Sequence, residues 1–286
     1  MQPEMLCDYA CNTGENPYWH PLEKRVYWTD IPSGRLFWFD PATGAHQQCY
    51  QGRQVGGFTV QPDGALLLFL DKGTVALWRD GKIQRTLIEE IPDERATRFN
   101  DVIADPAGRV FCGTMPTKER LGRLYRLDTD GSLHLILEGI KCSNGMGFSP
   151  DRRHLYYTDS GLRQISVFDY DAGTGALSNR RPLITTPADE GVPDGMTVDS
   201  RGDIWSTRWD GWCAVRYSPG GQELGRIRFP VKKVSSVVFG GPDCQDMYFT
   251  TAGGQKKEEN GPQAGALFRV RASVPGTVEF YSRIGV

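Results

Sequence analysis

The sequence predicts an all-β fold, a six-bladed β-propeller with four-stranded blades, occupying residues 1–286 as one domain. Three observations carry this expectation. Short turns anchored at Pro21, Pro62, Pro106, Pro150, Ser200 and Pro242 follow one another at spacings of 41, 44, 44, 50 and 42 residues, the length of a propeller blade rather than of a helical repeat. Between them apolar residues alternate by two, and no segment sustains the 3.6-residue period of an amphipathic helix. The 34 glycines and 18 prolines supply the tight turns that so many short strands require.

The units read alike in order. Blade 1 runs RVYWTD (25–30), RLFWFD (35–40) and the turn PATG (41–44). Blade 3 has RVFCGT (109–114) and RLYRLDTDG (123–131), and blade 4 has HLYYTD (154–159), QISVFDYD (164–171) and the turn AGTG (172–175). Blade 5 gives DIWSTR (203–208) and AVRYSPGG (214–221), and blade 6 gives DMYFTT (246–251) and ALFRV (266–270). Aromatic and β-branched residues in these runs suit half-buried strands. Residues 1–12 are expected to form the outer strand of the blade that begins near Ser235, locking the ring and removing its exposed edges. The W-T-D word of residues 28–30 reads as a structural hydrogen-bonding device, and Trp19 as a core residue. The Thr117–Gly122 and Gly253–Gly265 stretches break the repeat and read either as surface loops or as a lid over the axial opening.

The repeat also brings chemistry together. Six residues before each anchor stand Glu15, Gly56, Asn100, Asn144, Asp194 and Ser236. In a closed ring the same offset falls at the same depth, so two carboxylates and two amides converge on the axis. Glu15 and Asp194 match the charge of a divalent cation. An all-oxygen set without Cys or His favours a hard ion, and so few protein ligands leave positions for water and substrate. The alternative is that these polar residues satisfy backbone groups around a water-filled channel.

Other function classes find no support. Lys plus Arg (33) nearly balance Asp plus Glu (35), and no basic run marks a nucleic-acid or anionic-membrane partner. Seven cysteines without paired spacing, and a beginning, MQPEMLCDYAC, that lacks a basic start and an apolar stretch, give the expectation of a reduced, cytoplasmic protein. The four histidines lie away from the axial offset, and no G-x-S-x-G or G-x-G-x-x-G stands in a strand–turn–helix context.

Several words stand in order one blade-length apart: G-E-N-P-Y-W (14–19), R-F-N-D (98–101), S-N-G-M (143–146) and P-D-G-M (193–196). With D-P-A-G-R (105–109), G-T-M (113–115), F-G-G-P and Y-F-T-T-A (within 239–252), the chain resembles the gluconolactonase and regucalcin (senescence marker protein) family over nearly its whole length, bacterial aldonolactonases such as xylonolactonase most of all. The resemblance implies one divalent metal ion, with Ca2+ first and Zn2+, Mn2+, Mg2+ or Fe2+ as alternatives, held by Glu15, Asn144 and Asp194. It implies Asp194 as the general base, and Arg98 and Asn100 as substrate contacts. The blade 3 loop offers Glu119 for the acidic sugar contact some relatives have. The implied reaction is hydrolytic opening of a small-molecule sugar lactone, the metal polarising the carbonyl while Asp194 orients or deprotonates water. Two other readings use the same residues: a phosphotriester hydrolase on the same site, and a non-catalytic calcium-binding propeller. Trp209, Asp210 and Trp212 follow the blade 5 strand where aromatic faces could line a sugar pocket or pack between blades.

Overall fold

The computed structural model describes residues 1–285. Twenty-four strands form six separate four-stranded antiparallel sheets, and the only helical pieces among the described residues are three short 3-10 turns. Each sheet is a blade. The inner strands are Gly14–His20, Val55–Val60, Phe99–Ala104, Ser143–Phe148, Val192–Val198 and Val234–Gly240. Each packs against the inner strands of both neighbours, closing the ring around an axis. Glu4–Asp8 pairs antiparallel with Ala266–Arg271 as the outer strand of the sixth blade. Both chain ends of that blade are thereby held in one sheet, and the backbone bonds Cys11 N–H to Gly265 O (3.1 Å) and Gly253 N–H to Cys11 O (2.8 Å) fasten the seam.

The core lies in six wedges, one between each pair of adjacent blades. Phe58, Val60 and Leu68 meet Tyr18, Tyr27 and Leu36 between blades 1 and 2. Phe229, Phe249 and Phe268 form an aromatic cluster with Trp205 between blades 5 and 6, with ring centroids 4.8 and 5.7 Å apart. Trp19 stacks on Tyr248 in the wedge that closes the ring. Inner and middle strands are buried on both faces, while outer strands such as His46–Gln51 are largely exposed. Truncating any of the buried aromatics to Ala would open a cavity costing about 3–5 kcal/mol.

Two local devices position the axial residues. First, every inner strand carries a register shift against its neighbour: between Glu15 and Tyr18, Val55 and Gly57, Phe99 and Val102, Ser143 and Met146, Pro193 and Met196, and Val234 and Ser236. A bulge breaks strict alternation, so two consecutive side chains can be directed inward. Second, the Thr-Asp word at the end of the second strand grips the chain just ahead of the inner strand. Asp30 accepts the Thr13 N–H (2.9 Å) and Asp159 the Cys142 N–H (3.0 Å), in each case two residues before a candidate ligand, Glu15 or Asn144.

The glycines of N-G-M and D-G-M have a packing cause. A Cβ on Gly145 would lie 2.5 Å from the Met196 nitrogen, and one on Gly195 would lie 2.2 Å from Ser236 Oγ. Neighbouring inner strands approach too closely for any side chain there.

After the last strand, residues 273–285 cross the end of the ring. The tail is tied by Thr277 to Val198 O (2.9 Å), Phe280 O to the Tyr18 hydroxyl (3.1 Å), Ser282 to Thr59 (2.7 Å) and Ile284 O to Gln61 (3.0 Å). Nothing in the repeat announced this segment. No described helix is long and apolar enough to cross a membrane.

Candidate active site

One cavity of about 460 Å3 opens at the end of the axis where the bulged inner strands present their first inward residue. Glu15, Arg98, Asn100, Asn144 and Asp194 all line it, joined by Thr13, Met115, Cys142, Ser160, Gly161, Val192 and Trp209. Four separate blades therefore deliver the five residues to one space.

Hydrogen bonds fix the amides. Arg98 Nη1 donates to Asn100 Oδ1 (2.6 Å) and to its neighbour's carbonyl, Phe99 O (2.8 Å). Asn100 Nδ2 donates to Ser143 O (2.7 Å), with a longer contact to Asn144 Oδ1 (3.4 Å). Asn144 Nδ2 donates to Ser160 Oγ (3.0 Å), and the Ser160 hydroxyl donates onward to Pro193 O (2.6 Å). The Asn144 amide is thus held by Ser160, with Asp194 and Asn100 beside it.

Burial, then the nearby Asp194 and Asp101, hold the Glu15 carboxyl well above its usual range. Asp194 is raised by burial and Asp101, opposed by a hydrogen bond from Asn144. Arg98 is half-buried, and desolvation lowers its pKa. Among the described residues no three His, Cys, Asp or Glu side chains cluster as a ready metal cage. A cation here would depend on the amide oxygen of Asn144 as well as on the two carboxylates. That mixed set of two carboxylates and an amide, all able to ligate through oxygen, fits a hard divalent ion.

The remaining expectations fare differently. Glu119 is exposed and does not line the cavity. The cause is the loop's own anchoring. Thr117 Oγ1 accepts the Glu119 N–H (3.1 Å), while Arg120 pairs with buried Glu94 and donates to Asp93 O (2.6 Å), pinning the loop to the preceding connection. Neither this loop nor Gly253–Gly265 contributes a lining residue. The latter is held by Lys257 on Asp8 (2.6 Å) and Asn260 on Gly253 O (2.9 Å). Trp209 lines the wall, with the Lys233 ammonium 4.5 Å from its ring centroid, whereas Asp210 pairs with Lys233 and Trp212 is exposed. All four histidines lie off the cavity, and all seven cysteines are free. Ser160 escaped sequence reasoning because it sits in the turn after a second strand, outside the axial offset; Met115 did so although it closes the G-T-M word.

Two carboxylates, two amides and a half-buried guanidinium thus stand at one mouth of a six-bladed ring, and comparison with known proteins places the chain among propeller lactonases. The chain belongs to the SMP-30/Gluconolactonase/LRE-like family, whose profile matches residues 13–253. It is 49% identical to pentonolactonase XacC of Haloferax volcanii, across 98% of this chain and 97% of that protein. It is 32% identical to a 6-deoxy-6-sulfogluconolactonase of Pseudomonas putida, across 93% of each. Among solved structures it superimposes on a luciferin-regenerating enzyme with a TM-score of 0.90 and 26% identity, covering 99% of each chain.

Proposed function

We propose that this protein is a metal-dependent hydrolase that opens the ring of an aldonolactone, with a five-carbon sugar lactone as the first substrate to test. The observation that carries the reading is the convergence of Glu15, Asn144 and Asp194 with Arg98 and Asn100 on one axial cavity. The 49% identity to a pentonolactonase, end to end, supports the choice of substrate.

Glu15 and Asp194 as carboxylates and Asn144 through Oδ1 would hold the cation, Ca2+ first by donor type. When bound, it supplies Lewis-acid polarisation of the lactone carbonyl. Asp194, buried at the cavity floor, takes the proton of the attacking water and returns it to the ring oxygen as the acyl–oxygen bond breaks. Arg98, its guanidinium set by Asn100 Oδ1 and Phe99 O, binds the hydroxyls or carbonyl of the sugar, and Asn100 stands beside it. Trp209, Met115 and Cys142 form an apolar wall that excludes water from one ring face. A lactone is an activated ester, so polarisation and positioning suffice without a covalent nucleophile.

The test is hydrolysis of pentono- and hexonolactones, followed by acid release, in stripped protein and after adding each divalent ion. Chelation should abolish turnover and calcium should restore it. Asp194→Asn should lower kcat by at least about 100-fold while the protein stays folded. Full activity in stripped protein, or an unaltered Asp194→Asn rate, would sink the proposal. Activity on a phosphotriester but on none of the lactones would favour the other hydrolase reading.

A further inference from the structure

Trp209 is the largest side chain lining the catalytic cavity, and a neighbouring blade holds it in place. It ends the second strand of blade 5, Ile204–Trp209, where it stands opposite Val192, another lining residue. Lys233, the residue just before the inner strand of blade 6, sets its ammonium 4.5 Å from the indole centroid. The Lys233 side chain is only 15% exposed and does not line the cavity, so it covers indole surface that a substrate does not reach. Asp210, next in the chain after Trp209, holds that ammonium in an ion pair. It does so from a left-handed backbone conformation, φ 63°, which Asp tolerates better than most residues. The turn is stitched to the segment leading into blade 6: Trp212 N–H donates to Lys232 O (3.1 Å), and Phe229 N–H to Trp212 O (2.9 Å).

Asp210 is half-exposed, and an ion pair so open to water adds little to stability. Its effect is to fix where the ammonium sits. A cation over an indole face is attracted by the ring quadrupole, so the fixed ammonium in turn fixes the indole. The surface of Trp209 that Lys233 leaves uncovered is the part that lines the cavity. An indole face is apolar and electron-rich. It suits the C–H bonds of a saturated ring and offers nothing to a hydroxyl. Polar recognition comes from another side: Arg98 and Asn100 belong to blade 3, two blades away around the ring.

We propose that Trp209 is the stacking platform for the C–H face of the lactone ring, and that Lys233 and Asp210 are positioning residues that hold the indole for it. The inference rests on the lactonase reading and adds the division of labour within that site. The platform reads the ring itself, whereas Arg98 and Asn100 read its hydroxyls. A pentonolactone and an unsubstituted lactone both present a C–H face, so Trp209 contributes to both alike, in contrast to Arg98.

The experiment pairs lactonase kinetics with tryptophan fluorescence on the full chain at saturating calcium. Trp209→Ala should raise KM by about 10-fold for a pentonolactone and by a similar factor for an unsubstituted lactone, with kcat within about threefold. Lys233→Met keeps length and loses charge; it should raise KM about fivefold on both substrates. Lys233→Arg should bring KM back to within about twofold, because a guanidinium also sits well on an indole face. Titration with the aldonic acid product should change the emission of wild type, and Trp209→Phe should abolish that change although the other tryptophans remain. An unchanged KM in Trp209→Ala or Lys233→Met overturns the inference, as does a KM effect confined to the pentonolactone. A Lys233→Met defect that Lys233→Arg does not relieve overturns it too, and so does an emission change that survives in Trp209→Phe. If wild type opens no sugar lactone, the reaction assigned above fails, and titration with the intact lactone decides the platform separately: an emission change lost in Trp209→Phe supports it, and no change overturns it. Should Trp209→Ala fail to fold, Trp209→Phe and Lys233→Met carry the test.

Discussion

Ser160→Ala is the perturbation that most directly tests how the ring builds its catalytic cavity. The Ser160 hydroxyl is buried and stands between two groups: it accepts from Asn144 Nδ2 at 3.0 Å and donates to Pro193 O at 2.6 Å. Alanine removes both bonds and leaves an amide N–H and a carbonyl facing a methyl group. Each unsatisfied buried partner costs about 1–3 kcal/mol, part of it recovered where water enters from the cavity. An Asn144 amide without that anchor rotates freely, and only its Oδ1 can ligate a cation. Outer-sphere losses of this type lower metal affinity by about 10- to 100-fold, equivalent to roughly 1.4–2.8 kcal/mol. The assay is initial lactonase rate against free calcium concentration. The half-saturating concentration should rise by that factor, while kcat at saturating calcium stays within a few-fold, because Asp194 and Arg98 are untouched. An unchanged half-saturation would refute the claim that Ser160 orients the ligand; equal loss of rate at all calcium concentrations would mean that the variant damages the fold instead.

Arg98→Ala should raise KM for polyhydroxylated lactones by about 10-fold or more and leave a simple unsubstituted lactone nearly unaffected, and equal effects on both would argue against sugar contact. Gly145→Ala places a Cβ 2.5 Å from the Met196 nitrogen and 2.6 Å from Asp194 O, so it should destabilise by about 1–3 kcal/mol in denaturant titration and lower activity by moving both strands. The cation-free protein should lose stability as pH rises. Asp101 and Glu279 have native pKa values near about 7, above those of an unfolded chain, so the folded state holds protons that the unfolded state has released. Their contribution is therefore fully present below about pH 4 and lost as pH climbs through about 7. Melting temperatures of stripped protein across about pH 5–8 should fall, with the slope reduced in Glu279→Gln and in the presence of calcium; a rising or flat profile would contradict it.

The residues that converge on the axial cavity were legible because a repeat converts sequence offset into spatial depth. Glu15, Asn100, Asn144 and Asp194 share one position relative to their turns, and closure of the ring carries them to one cavity. Residues 1–12 were expected to close the ring as an outer strand, and Glu4–Asp8 pairs there with Ala266–Arg271. The repeat could not reveal contacts made by residues outside it. The loop that carries Glu119 is held by Arg120 on Glu94, a long-range ion pair that no local pattern encodes. Ser160 reaches Asn144 across a turn, and Glu279 reaches the axis from a tail that has no counterpart in any blade.

The amino-acid sequence by itself determined the six-fold ring, the order of its blades and the oxygen-donor residues on its axis, because periodicity and strand alternation are local properties that survive without coordinates. Only the tertiary structure decided which hydrogen bonds hold the axial amides, and that the tail after the last strand crosses the end of the ring. Those features depend on close approaches between strands far apart in the chain, and such distances are set by packing rather than by pattern.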